Sequence, residues 1–211
     1  MARICVFGDS IAYGAWDKEG GWVQRLRKFL DKKTLSEENS YFLVYNLGIS
    51  GDTTEDLLER FDFEIRQRFK EEEKTFIIFA IGANDSYFLH SKNDFRTPIE
   101  KFKENVCELI KLAQIFSSEI IFVGLTLVDE AKTTPIPWDI NKSYKNEYIK
   151  RYNEIIKSVC KENKIYFVEI FEDWAKTDYK KLLEDGLHPN SKGHQKIFET
   201  VKDFLIENKI I

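Results

Sequence analysis

The amino-acid sequence predicts a three-layer α/β/α sandwich around a parallel β-sheet. Five short apolar runs alternate with longer segments of helical periodicity along the 211 residues. The apolar runs are continuous, as is typical of strands that are covered on both faces. The chain is 43% hydrophobic and 14% aromatic, which is enough for a sizeable core. No linker, repeat or low-complexity tract interrupts it, so we expect one domain over residues 1–211.

Two different patterns of apolar residues predict the strands and the helices. The runs rich in β-branched and aromatic residues predict strands at 4–7, 41–47, 76–81, 120–125 and 165–170. Between the runs, apolar residues recur at spacings of three and four, which is the period of one helix face. These stripes predict helices at 21–30, 57–69, 99–116, 148–159 and 197–205.

Charge and cysteine content narrow the class of protein. The net charge is −4 and no basic block stands out, which argues against nucleic acid as a partner. Cys5, Cys107 and Cys160 are odd in number and lie on apolar faces, so we expect buried free thiols in a reducing compartment. No apolar run approaches the roughly 20 residues of a membrane-spanning helix, and the first strand begins too early for a signal peptide. We therefore expect a cytoplasmic protein without integral membrane association.

A candidate nucleophile follows the first predicted strand directly, in Gly8-Asp9-Ser10. A strand that ends in a sharp turn is suited to present a serine hydroxyl at the edge of a sheet. The alternative is an ordinary turn or helix N-cap serine. Ala12 stands where a Gly-x-Ser-x-Gly elbow requires its second glycine, so Ser10 does not belong to that motif.

A candidate base lies near the other end of the chain, in Asp185-Gly186-Leu187-His188-Pro189. A carboxylate three residues before an imidazole can hold one ring nitrogen and leave the other facing a nucleophile. The alternative is a surface loop with an incidental histidine. The remaining histidines, His90 and His194, lack such a partner, and we expect structural or surface roles for them.

Candidate oxyanion donors follow the second and third predicted strands. Gly51 lies in a glycine-containing turn before a helix, and Asn84 follows Ile81-Gly82-Ala83. Because parallel strands end at one edge of the sheet, the N–H groups of Ser10 and Gly51 and the side-chain amide of Asn84 can converge there. Each residue also suits an ordinary turn or capping role.

Signatures of metal and cofactor sites are missing from the sequence. No histidine pair at helical spacing has a carboxylate partner, and no Cys-x-x-Cys occurs. Neither a phosphate-binding loop nor a dinucleotide fingerprint follows any predicted strand. We expect no cofactor and no metal.

Taken together and in this order, these segments resemble the SGNH hydrolase superfamily, also called GDSL esterases and lipases. The resemblance spans nearly the whole chain and is carried by Gly8-Asp9-Ser10, Gly51, Gly82-Ala83-Asn84-Asp85 and Asp185-Gly186-Leu187-His188-Pro189. A mild departure is Ile11, where the family's first block has leucine.

The resemblance implies a flavodoxin-like fold with five parallel strands and a serine hydrolase of ester bonds. It implies Ser10 as nucleophile, His188 as base and Asp185 as its orienting acid. It further implies that Gly51 and Asn84, with the Ser10 N–H, hold the oxyanion. The substrates of this family that we consider are small or short-chain acyl esters, acetylated sugars and thioesters. The alternatives are an O-acyltransferase and a non-catalytic binding module on the same fold.

Two long loops leave the carboxyl ends of strands, at residues 86–97 and 127–140, where open α/β sheets bind ligands. They supply the candidate lining of an acyl pocket: Tyr87, Phe88, Leu89, Ile136 and Trp138. Aromatic loop residues also pack against a scaffold, so the alternative is a structural role. We expect a small-molecule acyl ester as the partner, and the residues do not indicate an oligomeric state.

Overall fold

A computed structural model describes residues 1–38 and 40–211. The strands are β1 (Ala2–Gly8), β2 (Phe42–Gly48), β3 (Lys74–Ala80), β4 (Phe88–Leu89), β5 (Asp94–Phe95), β6 (Glu119–Val123), β7 (Lys142–Ser143) and β8 (Tyr166–Val168). The helices are α1 (Ser10–Tyr13), α2 (Gly21–Ser36), α3 (Thr54–Arg66), α4 (Ile99–Gln114), α5 (Glu130–Thr133), α6 (Asn146–Asn163), α7 (Phe171–Ala175) and α8 (Ser191–Glu207). Short 3₁₀ turns cover Asn84–Ser86 and Tyr179–Leu182.

The five longer strands form one parallel sheet in the order β2-β1-β3-β6-β8. Strand β1 lies between β2 and β3, and Gly8 is paired with Gly48 on one side and with Ala80 on the other. These three strands therefore end in line, so the segments that follow them begin at one edge. The α/β fold class and the parallel five-stranded sheet predicted from the sequence are confirmed.

Helices flank the sheet in two groups. Helix α2 packs on α8, while α3 packs on α4 and α4 on α6. Phe7, Phe79 and Phe122 form a row across β1, β3 and β6, with neighbouring ring centroids 6.0 and 4.9 Å apart. Phe61 of α3 packs on this row, 4.9 Å from Phe7. Each buried Phe contributes roughly 1.5–3 kcal/mol, and the contact of Phe61 with the row holds α3 against the sheet.

The long loops are more regular than the sequence indicates. Strands β5, β4 and β7 pair antiparallel in a second, three-stranded sheet that joins residues 88–95 to residues 142–143. His90 and Ser143 contact each other across it, at 2.8 Å between Nε2 and Oγ. This small sheet holds the two loops together beside the carboxyl edge of the main sheet.

Cys5, Cys107 and Cys160 are free thiols in the structure. Burial raises the pKa of Cys5 and of Cys160 to about 12, so both are protonated and poorly nucleophilic. Within the described part of the chain, no helix has the length and apolarity needed to cross a bilayer.

Candidate active site

The carboxyl ends of β1, β2 and β3 are pressed closely against helix α1. A Cβ on Gly8 would come 2.4 Å from the Ala80 carbonyl oxygen and 2.6 Å from Cβ of Ala12. A Cβ on Gly48 would come 2.4 Å from the backbone nitrogen of Tyr13. Only glycine permits this approach, which seats α1 and its first residue directly on the strand ends.

Ser10 is the first residue of α1. The Asp9 side chain caps the helix by accepting from the Ile11 N–H at 2.9 Å, and the Asp9 carbonyl accepts from the Tyr13 N–H. The Ser10 N–H belongs to the first turn, where backbone donors have no intrahelical partner. Its side-chain oxygen Oγ lies 2.9 Å from Nε2 of His188, and the residue is only 6% exposed.

Asp185 holds the other side of the His188 ring. Its Oδ2 lies 2.7 Å from Nδ1 of His188, while its Oδ1 accepts from the backbone N–H groups of Leu187 and His188 at 2.9 and 2.8 Å. Burial opposes ionisation of this carboxyl, but its hydrogen bonds to the His188 side chain and to the backbone N–H groups of His188 and Leu187 outweigh it and lower the pKa of Asp185 to about 2. An ionised Asp185 requires the proton on Nδ1, which leaves the Nε2 lone pair facing Ser10.

Trp16, which belongs to none of the motifs in the sequence, contacts this pair. Its indole Nε1 is 3.1 Å from Oδ2 of Asp185 and 3.1 Å from Nδ1 of His188. The indole and imidazole rings meet edge to face, with an interplanar angle of 85° and centroids 5.8 Å apart.

Asn84 occupies the turn after β3, and both ends of its amide are held. Nδ2 donates to the Asp52 carbonyl at 3.0 Å, and Oδ1 accepts from the Tyr144 hydroxyl at 2.9 Å. Burial raises the pKa of Tyr144 well above its usual value, so the phenol is a donor. Because Nδ2 carries two hydrogens, one remains after the bond to the Asp52 carbonyl.

Gly51 lies in the turn after β2 and has a φ of +91°, a conformation that favours glycine. The Asp52 N–H closes this turn by donating to the Ile49 carbonyl at 3.2 Å. The Asp52 side chain pairs with Arg60 at 2.8 Å, and Arg60 also donates to the Gly8 carbonyl at 3.2 Å. Arg60 thereby ties the turn that contains Gly51 to the end of β1.

Asp85, which was not among the site residues predicted from the sequence, joins the turn that contains Asn84 to helix α3. Its buried carboxylate accepts from the Thr54 hydroxyl at 2.6 Å and from the Thr54 N–H at 3.0 Å. Asn105 of α4 donates to the same hydroxyl at 3.0 Å. Burial raises the pKa of Asp85 to about 6, although the Thr54 hydrogen bonds oppose the shift. The position of Asp85 directly after Asn84 was the available signal.

A pocket of about 160 Å³ opens between these segments. The residues that line it are Ser10, Gly51, Asn84, Tyr87, Ile136, Trp138, Lys142, Tyr144, Leu187 and His188. The structure therefore brings the Ser10 and His188 side chains together with both candidate oxyanion positions and three of the five candidate acyl-pocket residues. Among the residues that line the pocket, Lys142 carries a positive charge. Its Nζ pairs with Asp139 at 3.0 Å and lies 5.2 Å from the Tyr87 ring centroid.

Phe88 and Leu89 are not brought to this pocket, which corrects the expectation that they line it. Their backbone forms β4, and the Phe88 ring packs against the rings of Phe95 and Tyr148 at 5.8 and 6.3 Å. Leu89 is buried in the hydrophobic core. Because both residues belong to the small antiparallel sheet, their side chains pack against the scaffold. This sheet was not predicted from the sequence.

His90 and His194 lie outside the residues that line the pocket. His194 is buried within α8, and this burial lowers its pKa to about 4, so the ring is neutral at physiological pH. Over residues 1–38 and 40–211, no group of three or more His, Cys, Asp or Glu side chains is placed to hold a metal ion.

Comparison with known proteins gives consistent results. The model of the GDSL-like lipase/acylhydrolase family matches residues 6–196. The isoamyl acetate-hydrolyzing esterase of Saccharomyces cerevisiae is 23% identical over 219 residues, covering 96% of this chain and 87% of that protein. The structure of a lipase/acylhydrolase from Enterococcus faecalis superposes with a TM-score of 0.74 at 23% identity, covering 97% of this chain and 95% of that one. An acetylxylan esterase from Geobacillus stearothermophilus gives a TM-score of 0.72 at 20% identity, covering 97% and 93%.

Proposed function

The chain belongs to the GDSL-like lipase/acylhydrolase family, and we propose that it hydrolyses small carboxylic esters through a triad of Ser10, His188 and Asp185. Membership makes the protein a GDSL-type hydrolase. The observation that carries the triad is the continuous line of contacts from Ser10 Oγ to His188 Nε2 at 2.9 Å and from Nδ1 to Asp185 at 2.7 Å. The family match over residues 6–196 also supports one catalytic domain.

The first half of the reaction forms an acyl-enzyme. Nε2 of His188 takes the hydroxyl proton while Ser10 Oγ attacks the ester carbonyl carbon. The resulting imidazolium is stabilised by the ionised Asp185, which keeps its own charge. The tetrahedral intermediate then collapses, its bond to the alcohol oxygen breaks, and Nε2 returns the proton to the departing alcohol.

The second half releases the acid. A water molecule gives a proton to Nε2 and attacks the acyl carbon, and the acyl bond to Ser10 Oγ then breaks as that proton returns to the serine. In both halves negative charge develops on the former carbonyl oxygen. The N–H groups of Ser10 and Gly51 and the free amide hydrogen of Asn84 are the proposed donors, each contributing roughly 3–4 kcal/mol.

The size of the pocket favours a short acyl group. Its volume of about 160 Å³ is close to the roughly 150 Å³ of an engineered protein cavity that accepts benzene. An acyl chain of up to about six carbons therefore fits. The names of the S. cerevisiae and G. stearothermophilus proteins both specify acetyl esters, which supports a small acyl group here as well. Acetylated sugars and short thioesters are within this substrate class.

Two further features bear on the compartment in which the protein acts and on the physical form of its substrate. The three free thiols support a reducing compartment such as the cytoplasm as the place of action. Trp138 lines the pocket and is 56% exposed, so the pocket is open to solvent at this residue. We therefore propose a small dissolved ester rather than bulk lipid.

The test combines turnover and covalent labelling. We expect p-nitrophenyl acetate to be hydrolysed by the native protein and a fluorophosphonate probe to modify Ser10, as located by peptide mass spectrometry. Ser10→Ala should abolish both. Ser158→Ala provides the matched control, because Ser158 lies on the exposed surface of α6 and contacts Glu162. Full activity in Ser10→Ala would remove Ser10 from the mechanism.

Two further outcomes identify the alternatives. An O-acyltransferase would pass the acyl group to an added sugar acceptor in preference to water, and mass spectrometry of the products would show the acylated sugar. A non-catalytic binding module would neither turn over the ester nor react with the probe. Esters and thioesters of two to ten carbons, compared at equal concentration, would define the acyl chain length.

A further inference from the structure

Trp16 has a backbone conformation that its side chain disfavours. Its φ is +65°, in the left-handed region where a bulky residue is an outlier. The residue is 66% exposed, so burial of the indole in the core does not account for this conformation. An outlier of this kind next to a catalytic group suggests a functional constraint.

The polar atom of the indole is directed at the triad. Nε1 lies 3.1 Å from Oδ2 of Asp185, the same oxygen that receives the Nδ1–H of His188 at 2.7 Å. The indole Nε1 is also 3.1 Å from Nδ1. Both of these nitrogens carry hydrogens when Asp185 is ionised, so the acceptor of the indole N–H is the carboxylate.

The backbone at Trp16 is held by a buried ion pair. The adjacent Asp17 carboxylate accepts from the N–H groups of Glu19 and Gly21 at 3.2 and 3.0 Å and pairs with Arg25. Arg25 also donates to Oγ of Ser191 at 2.8 Å. Ser191 begins α8, three residues after His188. Arg25 therefore connects the loop that presents Trp16 to the segment that presents the triad base.

We propose that Trp16 is a positioning residue that orients the Asp185 carboxylate toward His188. The inference rests on the triad of the proposed function and adds a fourth side chain to it. The indole N–H fixes Oδ2 in the direction of Nδ1, and the ring covers one side of the contact between Asp185 and His188. Because Asp185 is 25% exposed, this cover limits the access of water to the hydrogen bond.

Two readouts test the proposal in the full-length chain. Trp16→Phe removes the N–H and keeps an aromatic ring; we expect kcat to fall about fivefold to tenfold with KM within twofold. The second readout is the downfield proton resonance of His188 Nδ1 in protein labelled with ¹⁵N-histidine. We expect it to move upfield, or to broaden through faster exchange with water, in Trp16→Phe. The chain has only three histidines, and the absence of the resonance in His188→Gln assigns it.

The control is Phe63→Ala, which removes an equally exposed aromatic ring from α3, away from the pocket. This variant should leave kcat and the resonance unchanged. The proposal is wrong if Trp16→Phe keeps native kcat, or if kcat falls while the resonance stays in place. The resonance is read in the resting protein, so it does not depend on Ser10 being the nucleophile. Failure of the proposed function would instead be seen in Ser10→Ala.

Discussion

The Tyr144 hydroxyl donates a hydrogen bond of 2.9 Å to Oδ1 of Asn84. This contact fixes the orientation of the Asn84 amide. The amide oxygen accepts from Tyr144, so the NH₂ group lies on the opposite side of the amide. The Asp52 carbonyl then takes one hydrogen of Nδ2 at 3.0 Å, and the second is the proposed oxyanion donor. A phenol 60 residues further along the chain thus orients the proposed oxyanion donor.

Tyr144→Phe should weaken this orientation without changing the shape of the pocket. We expect kcat for p-nitrophenyl acetate to fall about fivefold to tenfold, because the amide loses the bond that fixes and polarises it. KM should change less than twofold. Tyr148→Phe is the matched control, since that ring packs on Phe95 outside the pocket. Equal kinetics in the two variants would contradict the role of Tyr144.

Asn84→Ala should remove the proposed donor itself. We expect kcat to fall by about 100-fold or more while KM moves little, because the lost hydrogen bond strengthens only as charge develops on the oxyanion. Steady-state kinetics at saturating ester measure this change. Asn208→Ala, at the C-cap of α8, controls for loss of an asparagine away from the pocket. An unchanged kcat would leave Asn84 with a turn role only.

Ile136→Ala should lengthen the preferred acyl chain. Ile136 lines the pocket and is buried, so truncation of its side chain enlarges the volume next to the acyl group. Relative to native protein, kcat/KM should shift toward chains one to three carbons longer, at a cost in stability of about 2–5 kcal/mol. Ile140→Ala, in the same loop but 75% exposed, should leave the chain-length profile unchanged. An identical profile in both variants would place the acyl group elsewhere.

Asp185 should stabilise the fold in a defined pH range. Its pKa is about 2 in the folded protein, below the value of 3.8 expected for an unperturbed carboxyl. The stabilisation is therefore complete above about pH 4 and is lost as the pH falls toward 2. Urea unfolding of native protein and Asp185→Asn should give a free-energy difference that shrinks by about 2 kcal/mol over this range. A difference that stays constant with pH would show that the pKa is not lowered.

The main sheet was predictable because its strands obey a simple rule. A parallel strand covered on both faces must be apolar throughout. The run at 4–7 lies within the observed β1, and the run at 76–81 overlaps β3 and extends one residue beyond its end at Ala80. The short elements were not predictable. Strands of two residues such as β4 and β7 have no period to read, and their pairing depends on the contact between distant loops.

Some residues of the candidate site could likewise be predicted from the sequence, and others could not. Ser10, Gly51 and Asn84 lie within four residues of the ends of β1, β2 and β3, which meet at one edge, so their convergence could be inferred from topology. Trp16 and Tyr144 could not be placed, because their contacts depend on a left-handed backbone residue and on the small second sheet. Neither feature leaves a local pattern in the sequence.

The proposed nucleophile and base are separated by 178 positions along the chain. During synthesis the histidine therefore leaves the ribosome 178 residues later than the serine. On the proposed mechanism, a nascent chain that has formed only its first strands carries a serine without its base and should not hydrolyse ester. Onset of hydrolysis in a translation reaction should accordingly follow release of the segment that contains His188, so the proposed activity would report when the two ends of the site have met.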